Sequence, residues 1–120
     1  MLSASFMALT SQFNSVTPKA GPPGCKSASC AANVNTVCDP NLTVRGPDGS
    51  VIACKSARMA FREIKFCCTG QYKTPDKCHP NQYSTTFKQK CPQAYTCAFD
   101  DATGKFNCPS GSDYFITFCP

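Results

Sequence analysis

Three residue types in this chain could do chemistry: its cysteines, its carboxylates and a single histidine. Thiols in the number found here, 11, bind metal, act as nucleophiles or cross-link the chain. Structural zinc sites want paired Cys-x-x-Cys or Cys/His knuckles, whereas the series runs Cys25, Cys30, Cys38, Cys54 and no Cys-x-x-Cys occurs, so no metal site or cofactor is expected. Cys78 and His79 are a thiol beside a base, but side chains one residue apart do not face each other in a regular element. Cross-linking remains. The adjacent Cys67 and Cys68 sharpen that reading, because a vicinal bridge strains the peptide between them and each thiol needs its own distant partner.

Hydrolysis of a glycosidic bond needs two carboxyl groups about 5 to 9.5 Å apart, one to protonate the leaving oxygen and one to attack or activate water. Asp100 and Asp101 stand together in "FDDATGKF". Neighbours in an extended segment point to opposite sides, so the two carboxylates should not share a face. The plainer reading is that both solvate an ordinary turn. Asp39, Asp48, Glu63, Asp76 and Asp113 complete the acidic set, and no spacing pairs any of them with Asp100. Tyr72, Tyr83, Tyr95 and Tyr114 offer rings that stack on sugars, although aromatic residues in a small tryptophan-free fold more often fill the core.

A chain of 120 residues is one domain or a piece of a larger one. With 10 prolines and 7 glycines beside the cysteines, it reads as a loop-rich, disulfide-held scaffold from an oxidising compartment. Its net charge of +5 favours weak, salt-sensitive attraction to anionic polymers or membrane head groups. The basic residues are scattered, without a run or an aromatic platform, so no nucleic-acid partner is expected. The opening "MLSASFMALTSQF" lacks the positive n-region and long apolar stretch of a convincing signal peptide.

Residues 1–24 read as an irregular leader ending in the turn "KAGPPG". "CAANVNTVC" allows a turn or two of helix, and "DPNLTVRGPDGS" describes a loop or short hairpin. Within it, Asn41-Leu42-Thr43 is an N-glycosylation acceptor triplet. From Val51 to Ile64 the apolar positions Cys54, Ala57, Phe61 and Ile64 recur at helical steps, predicting a helix with one buried stripe. Arg58 falls on the shoulder of that stripe, with its head in water. A second helix is predicted over about Tyr83 to Lys90, with Asn81 near its N-cap, lysines in its last turn and Pro92 as its stop. "DYFITFCP" is the best strand.

The stretches "CKSARMAFREIKFCCTG", "YSTTFKQKCPQAY" and "ITFCP" resemble the C-terminal half of plant thaumatin-like proteins, the pathogenesis-related class 5 group. "FNSVTPKAGPPGCKSASCAANVNTVC" resembles the same family, so the likeness covers about residues 13–120. It implies a small disulfide-rich α+β fold: a loop-rich lobe with two short helices plus remnant strands of the thaumatin-like β-sandwich. Leader and sandwich remnant would occupy 1–24, the disulfide-rich lobe 25–110 and a C-terminal sandwich strand 111–120, in a chain truncated at its N-terminus relative to the family. The implied pairs are Cys25 with Cys108, Cys30 with Cys91, Cys38 with Cys54, and Cys68 with Cys78. The family partner of Cys67 falls at Arg58, that of Cys119 lies near the family's N-terminus, and Cys97 stands where an aromatic residue is usual. Those three thiols are unassigned, and a Cys67–Cys97 bridge stays open.

The resemblance also implies antifungal plant defence by a secreted or vacuolar monomer that binds cell-wall β-1,3-glucan or a fungal surface. The family's acidic cleft uses one arginine, one glutamate and three aspartates, of which only the last falls here, at Asp100 or Asp101; one of the two at most should face that cleft, and we favour Asp100. Weak endo-β-1,3-glucanase activity occurs in the family, but with so incomplete a carboxylate set this chain is expected not to be an enzyme. Readings from other classes are a disulfide-rich hydrolase inhibitor or interaction module, or an inactive fragment.

Overall fold

The computed structural model describes residues 13–18, 25–30, 32–111 and 113–118. Among the described residues, two small antiparallel sheets and four short α-helices are arranged around cystines. β1 (Phe13–Pro18) is the centre of a three-stranded sheet, flanked by β2 (Ala28–Ser29) and β5 (Tyr114–Phe118). Val16 stands opposite both Ala28 and Ile116, and Pro18 opposite Tyr114. The strand expected at the C-terminus thus finds its mate inside the stretch that composition marks as irregular. Its partner is a hundred positions away, and short β-branched segments take their state from such distant pairing.

β3 (Thr43–Arg45) and β4 (Val51–Cys54) form a hairpin where the sequence left a loop or short hairpin open. Its turn is built by Gly46 and Gly49: the Gly49 amide donates to Gly46 O at 3.0 Å, and Gly49 takes the left-handed φ of +81° that glycine tolerates. Asp48 Oδ1 braces it by accepting from the Ser50 amide and hydroxyl.

The helix expected over Val51 to Ile64 is not continuous. Val51 is β-branched and pairs with Arg45 of β3, Ala53 pairs with Val44, and Cys54 is bonded to Cys38, so this part is strand. Helix begins only at α1 (Ala57–Phe61), where the Ser56 side chain caps the Met59 amide at 3.3 Å. It ends at Arg62, whose φ of +54° turns the chain left-handed. α2 (Ile64–Cys67) follows on a new axis, which leaves Ile64 51% exposed where its place in the stripe predicts burial; Ile52 and Met59 are exposed as well.

α3 (Gln82–Lys90) matches its expectation closely, and its start explains why. Asn81 Oδ1 accepts from the Tyr83 and Ser84 amides at 3.0 and 3.1 Å, while Ser84 Oγ accepts from the Asn81 amide at 3.0 Å. That reciprocal cap satisfies donors that would otherwise be orphaned. α4 (Asp101–Gly104) is a single turn.

Among the described residues the buried apolar set is Cys30, Leu42, Cys54, Ala57, Cys78 and Cys91. Four of these six are half-cystines, so covalent links occupy the place that large aliphatic side chains take in bigger cores. A cluster of three rings, Phe61, Phe66 and Tyr83, with centroids 5.2 to 5.9 Å apart, joins α1, α2 and α3. No described helix is long and apolar enough to cross a membrane.

Candidate functional site

The two neighbouring aspartates have opposite surroundings. The chain is not extended here: Asp100 precedes the single turn of α4 and its carboxylate points inward. Oδ2 accepts from Lys88 Nζ at 2.9 Å, the Thr96 amide at 3.0 Å and the Thr96 hydroxyl at 3.3 Å; Oδ1 accepts from Thr103 Oγ1 at 2.7 Å. Burial by itself would raise the Asp100 pKa. The Thr96 amide, Lys88 and Thr103 outweigh it and hold the carboxyl below its ordinary value. Lys88 also donates to Ala94 O at 2.8 Å, so one ammonium ties the last turn of α3 to both ends of the 94–100 loop.

Asp101 lies on the outside. It accepts from the Tyr95 hydroxyl at 2.8 Å and sits 3.5 Å from Lys105 Nζ, with more than half of its side chain exposed. Desolvation, then the bond to Asp101, raises the Tyr95 pKa and keeps the phenol a donor. Tyr95 is pressed against Gly104, where an added Cβ would meet Tyr95 Cα at 2.8 Å. Only glycine permits that approach.

The same loop forms one wall of an open cavity of about 510 Å³. Tyr95, Phe99, Arg58, Phe66, Cys67 and Cys97 contribute to its lining. Phe99 has a left-handed φ of +64° and is 44% exposed, so a large ring is presented to solvent rather than packed away. A hollow of this size with aromatic walls, a guanidinium and a nearby carboxylate can hold a polar ligand with flat apolar faces.

Residues 7–120 match the model of the Thaumatin family. The chain belongs to the thaumatin family. It is 52% identical over 105 residues to Thaumatin-like protein 1 of Pyrus pyrifolia, a match that covers 88% of this chain and 43% of that relative. Thaumatin-like protein 1a of Malus domestica is 53% identical over 106 residues, again with 88% and 43% covered. A Prunus avium relative named Glucan endo-1,3-beta-glucosidase is 51% identical over 106 residues, with the same coverage. The chain thus spans less than half the length of these curated relatives.

In this thaumatin-family chain Cys25 is bonded to Cys108, Cys30 to Cys91, Cys38 to Cys54 and Cys68 to Cys78. The vicinal pair is separated by a change of backbone hand: Cys67 ends α2, whereas Cys68 caps it at φ +51° and reaches Cys78. Cys67 and Cys97 are free, half-buried and on the same cavity, without a bond between them. Desolvation, then the Asp100 charge, raises the Cys97 pKa. Cys119 lies outside the described residues. His79 is exposed beside a cysteine that is already bonded, so Cys78 offers no thiolate. No group of three His, Cys, Asp or Glu side chains that could hold a metal occurs among the described residues. Asn41 is exposed at a turn.

Sequence reasoning missed Lys88, Thr96 and Thr103 as the holders of Asp100. Lys88 carried a signal only as a helix-end cation, because its partner is 12 residues away across a loop. Arg58 and Phe99 were missed as cavity residues for the same reason: only the fold brings α1 and the 95–99 segment to one hollow.

Proposed function

We propose that this chain serves antifungal plant defence as a secreted, monomeric binder of cell-wall β-1,3-glucan, with the open cavity beside Asp101 as its sugar-facing surface. One observation carries this reading: the Tyr95 hydroxyl is held on exposed Asp101 at the wall of a cavity that also presents Arg58 and the Phe99 ring. Sugar rings have apolar faces that stack on aromatics and hydroxyls that bond to carboxylates and guanidinium groups, so the chemistry fits a glucan chain. Four cross-links support an extracellular or vacuolar setting.

Binding fits better than hydrolysis. Asp100 is the carboxylate next to Asp101, and its oxygens are engaged by Lys88, Thr96 and Thr103, which favours its ionised form and opposes a role as acid. Asp100 then acts as the positioning residue for the loop, and Asp101 meets the ligand. Retention of the oxidised protein on insoluble β-1,3-glucan tests this. Wild type should be retained and Asp101→Asn should lose about tenfold or more in affinity, the scale of one charge-assisted hydrogen bond. Failure of the wild type to bind, or full retention by Asp101→Asn together with Tyr95→Phe, would discard the proposal.

A further inference from the structure

Asn41-Leu42-Thr43 is the chain's one Asn-x-Ser/Thr triplet, and the glucan-facing surface makes no use of it. We infer that Asn41 is an acceptor for an N-linked oligosaccharide. The inference rests on the secretory setting proposed above and on four features of the local structure.

Asn41 is exposed at a turn closed by the Leu42 amide donating to Asp39 O at 2.8 Å. Leu42 between the acceptor and the hydroxyl residue is only 1% exposed, and its carbonyl accepts from the Lys55 amide at 2.8 Å. The central residue is therefore the anchor, and the two recognition residues flank it without being part of the core. Thr43 supplies the hydroxyl form of the triplet and is followed by Val44, not proline.

The acceptor amide also has a proton to spare. Asn41 Nδ2 donates one of its protons to Asp39 Oδ1 at 2.9 Å. A carboxamide NH2 carries two protons. In the transfer, Nδ2 attacks the first sugar carbon of a lipid pyrophosphate-linked oligosaccharide. The C–N bond forms, the bond from that carbon to the phosphate oxygen breaks, one amide proton is lost to base, and the lipid pyrophosphate leaves with the electron pair. One N–H remains, so the bond to Asp39 can survive. The Asn41 amide nitrogen of the backbone holds the same Asp39 oxygen at 2.9 Å, which keeps the turn closed with the glycan in place.

The Cys38–Cys54 bond ties the segments on either side of the triplet. Closing that bond before transfer would fix the triplet in its folded turn, so glycan occupancy and this bridge should compete. Expression of the full chain behind a secretion leader in an N-glycosylating yeast tests the inference, read by intact mass with and without peptide N-glycosidase. The expected result is a glycan-sized mass loss and conversion of Asn41 to Asp, abolished by Asn41→Gln and Thr43→Ala and kept by Thr43→Ser. Cys38→Ser with Cys54→Ser should raise the occupied fraction. Identical masses before and after the enzyme, in secreted protein with its bridges formed, would overturn the inference while leaving the secretory setting intact. Absent bridges would count against the setting, and the glycan is read independently of them.

Discussion

The sheet that joins the two ends of the described chain and the lobe between them are held by different means. In the lobe, two cystines and the helix caps act over short distances: Cys68 and Cys78 are 10 residues apart, Cys38 and Cys54 16. The sheet pairs Phe13–Pro18 with Tyr114–Phe118, and its cross-link lies just beyond these strands, where Cys25 meets Cys108 across 83 residues. A lobe built from local contacts can form piece by piece. A strand pair joined across the whole chain needs its ends brought together first, and that entropy cost grows with loop length. The lesson is that the two short-range bonds serve the lobe alone, whereas Cys25–Cys108 closes the longest loop beside the sheet and Cys30–Cys91, across 61 residues, ties the end of β2 to the end of α3.

Opening the Cys25–Cys108 loop should therefore have the largest effect. Replacing both by serine is expected to cost about 4–5 kcal/mol, against about 2.5–3 kcal/mol for Cys68 and Cys78, on loop-closure grounds. Denaturant midpoints measure the difference, and hydrogen exchange should show β1 and β5 losing protection first. Equal losses in both variants, with uniform exchange, would erase the distinction between the regions.

Next in size is Asp100→Asn, which removes the charge gripped by Lys88 and Thr96 and should cost about 1.5–3 kcal/mol. Because the folded state lowers this pKa, the contribution is complete above the ordinary carboxylate range. It fades as pH falls from about 4 through the lowered folded value. Asp100→Asn should flatten that acid limb. An unchanged pH profile would show that the loop does not depend on this carboxylate.

Gly104→Ala forces a methyl against the Tyr95 backbone and should cost about 1–3 kcal/mol by thermal unfolding, because backbone cannot swing aside as a flexible side chain does. Smallest is a rate effect. Cys97, its pKa raised by burial and by Asp100, should alkylate more slowly at neutral pH than an unperturbed thiol, and faster as pH rises. Differential alkylation of the oxidised protein followed by peptide mapping measures it. A Cys67–Cys97 linked peptide would instead add another bond within the lobe and sharpen the contrast with the sheet.

Much of the lobe was legible because its signals are local. Asn81 near the N-cap of α3 and the glycines of the 46–49 turn act within a few residues of themselves, whereas the Phe61, Phe66 and Tyr83 cluster forms only when the helices meet. The helix expected over Val51 to Ile64 failed where a distant constraint outweighed periodicity: pairing with β3 and the bond to Cys38 claimed its first turn. The disulfide pairs came from family resemblance, since spacing does not select among so many connectivities. The divergence expected for the adjacent aspartates rested on an extended segment, whereas a helical turn begins there, and the direction in which each points was not readable from a turn-forming dipeptide.

By itself the sequence determined a cross-linked, loop-rich chain of the thaumatin family with a strong N-cap at Asn81, because composition and short-range hydrogen bonding act along the chain. Tertiary structure alone decided that Asp100 is clasped by Lys88, that Asp101 faces out beside Tyr95, and that Arg58 shares a hollow with Phe99. Those outcomes depend on which segments meet in space, and a side chain's charge state and direction follow from its neighbours there.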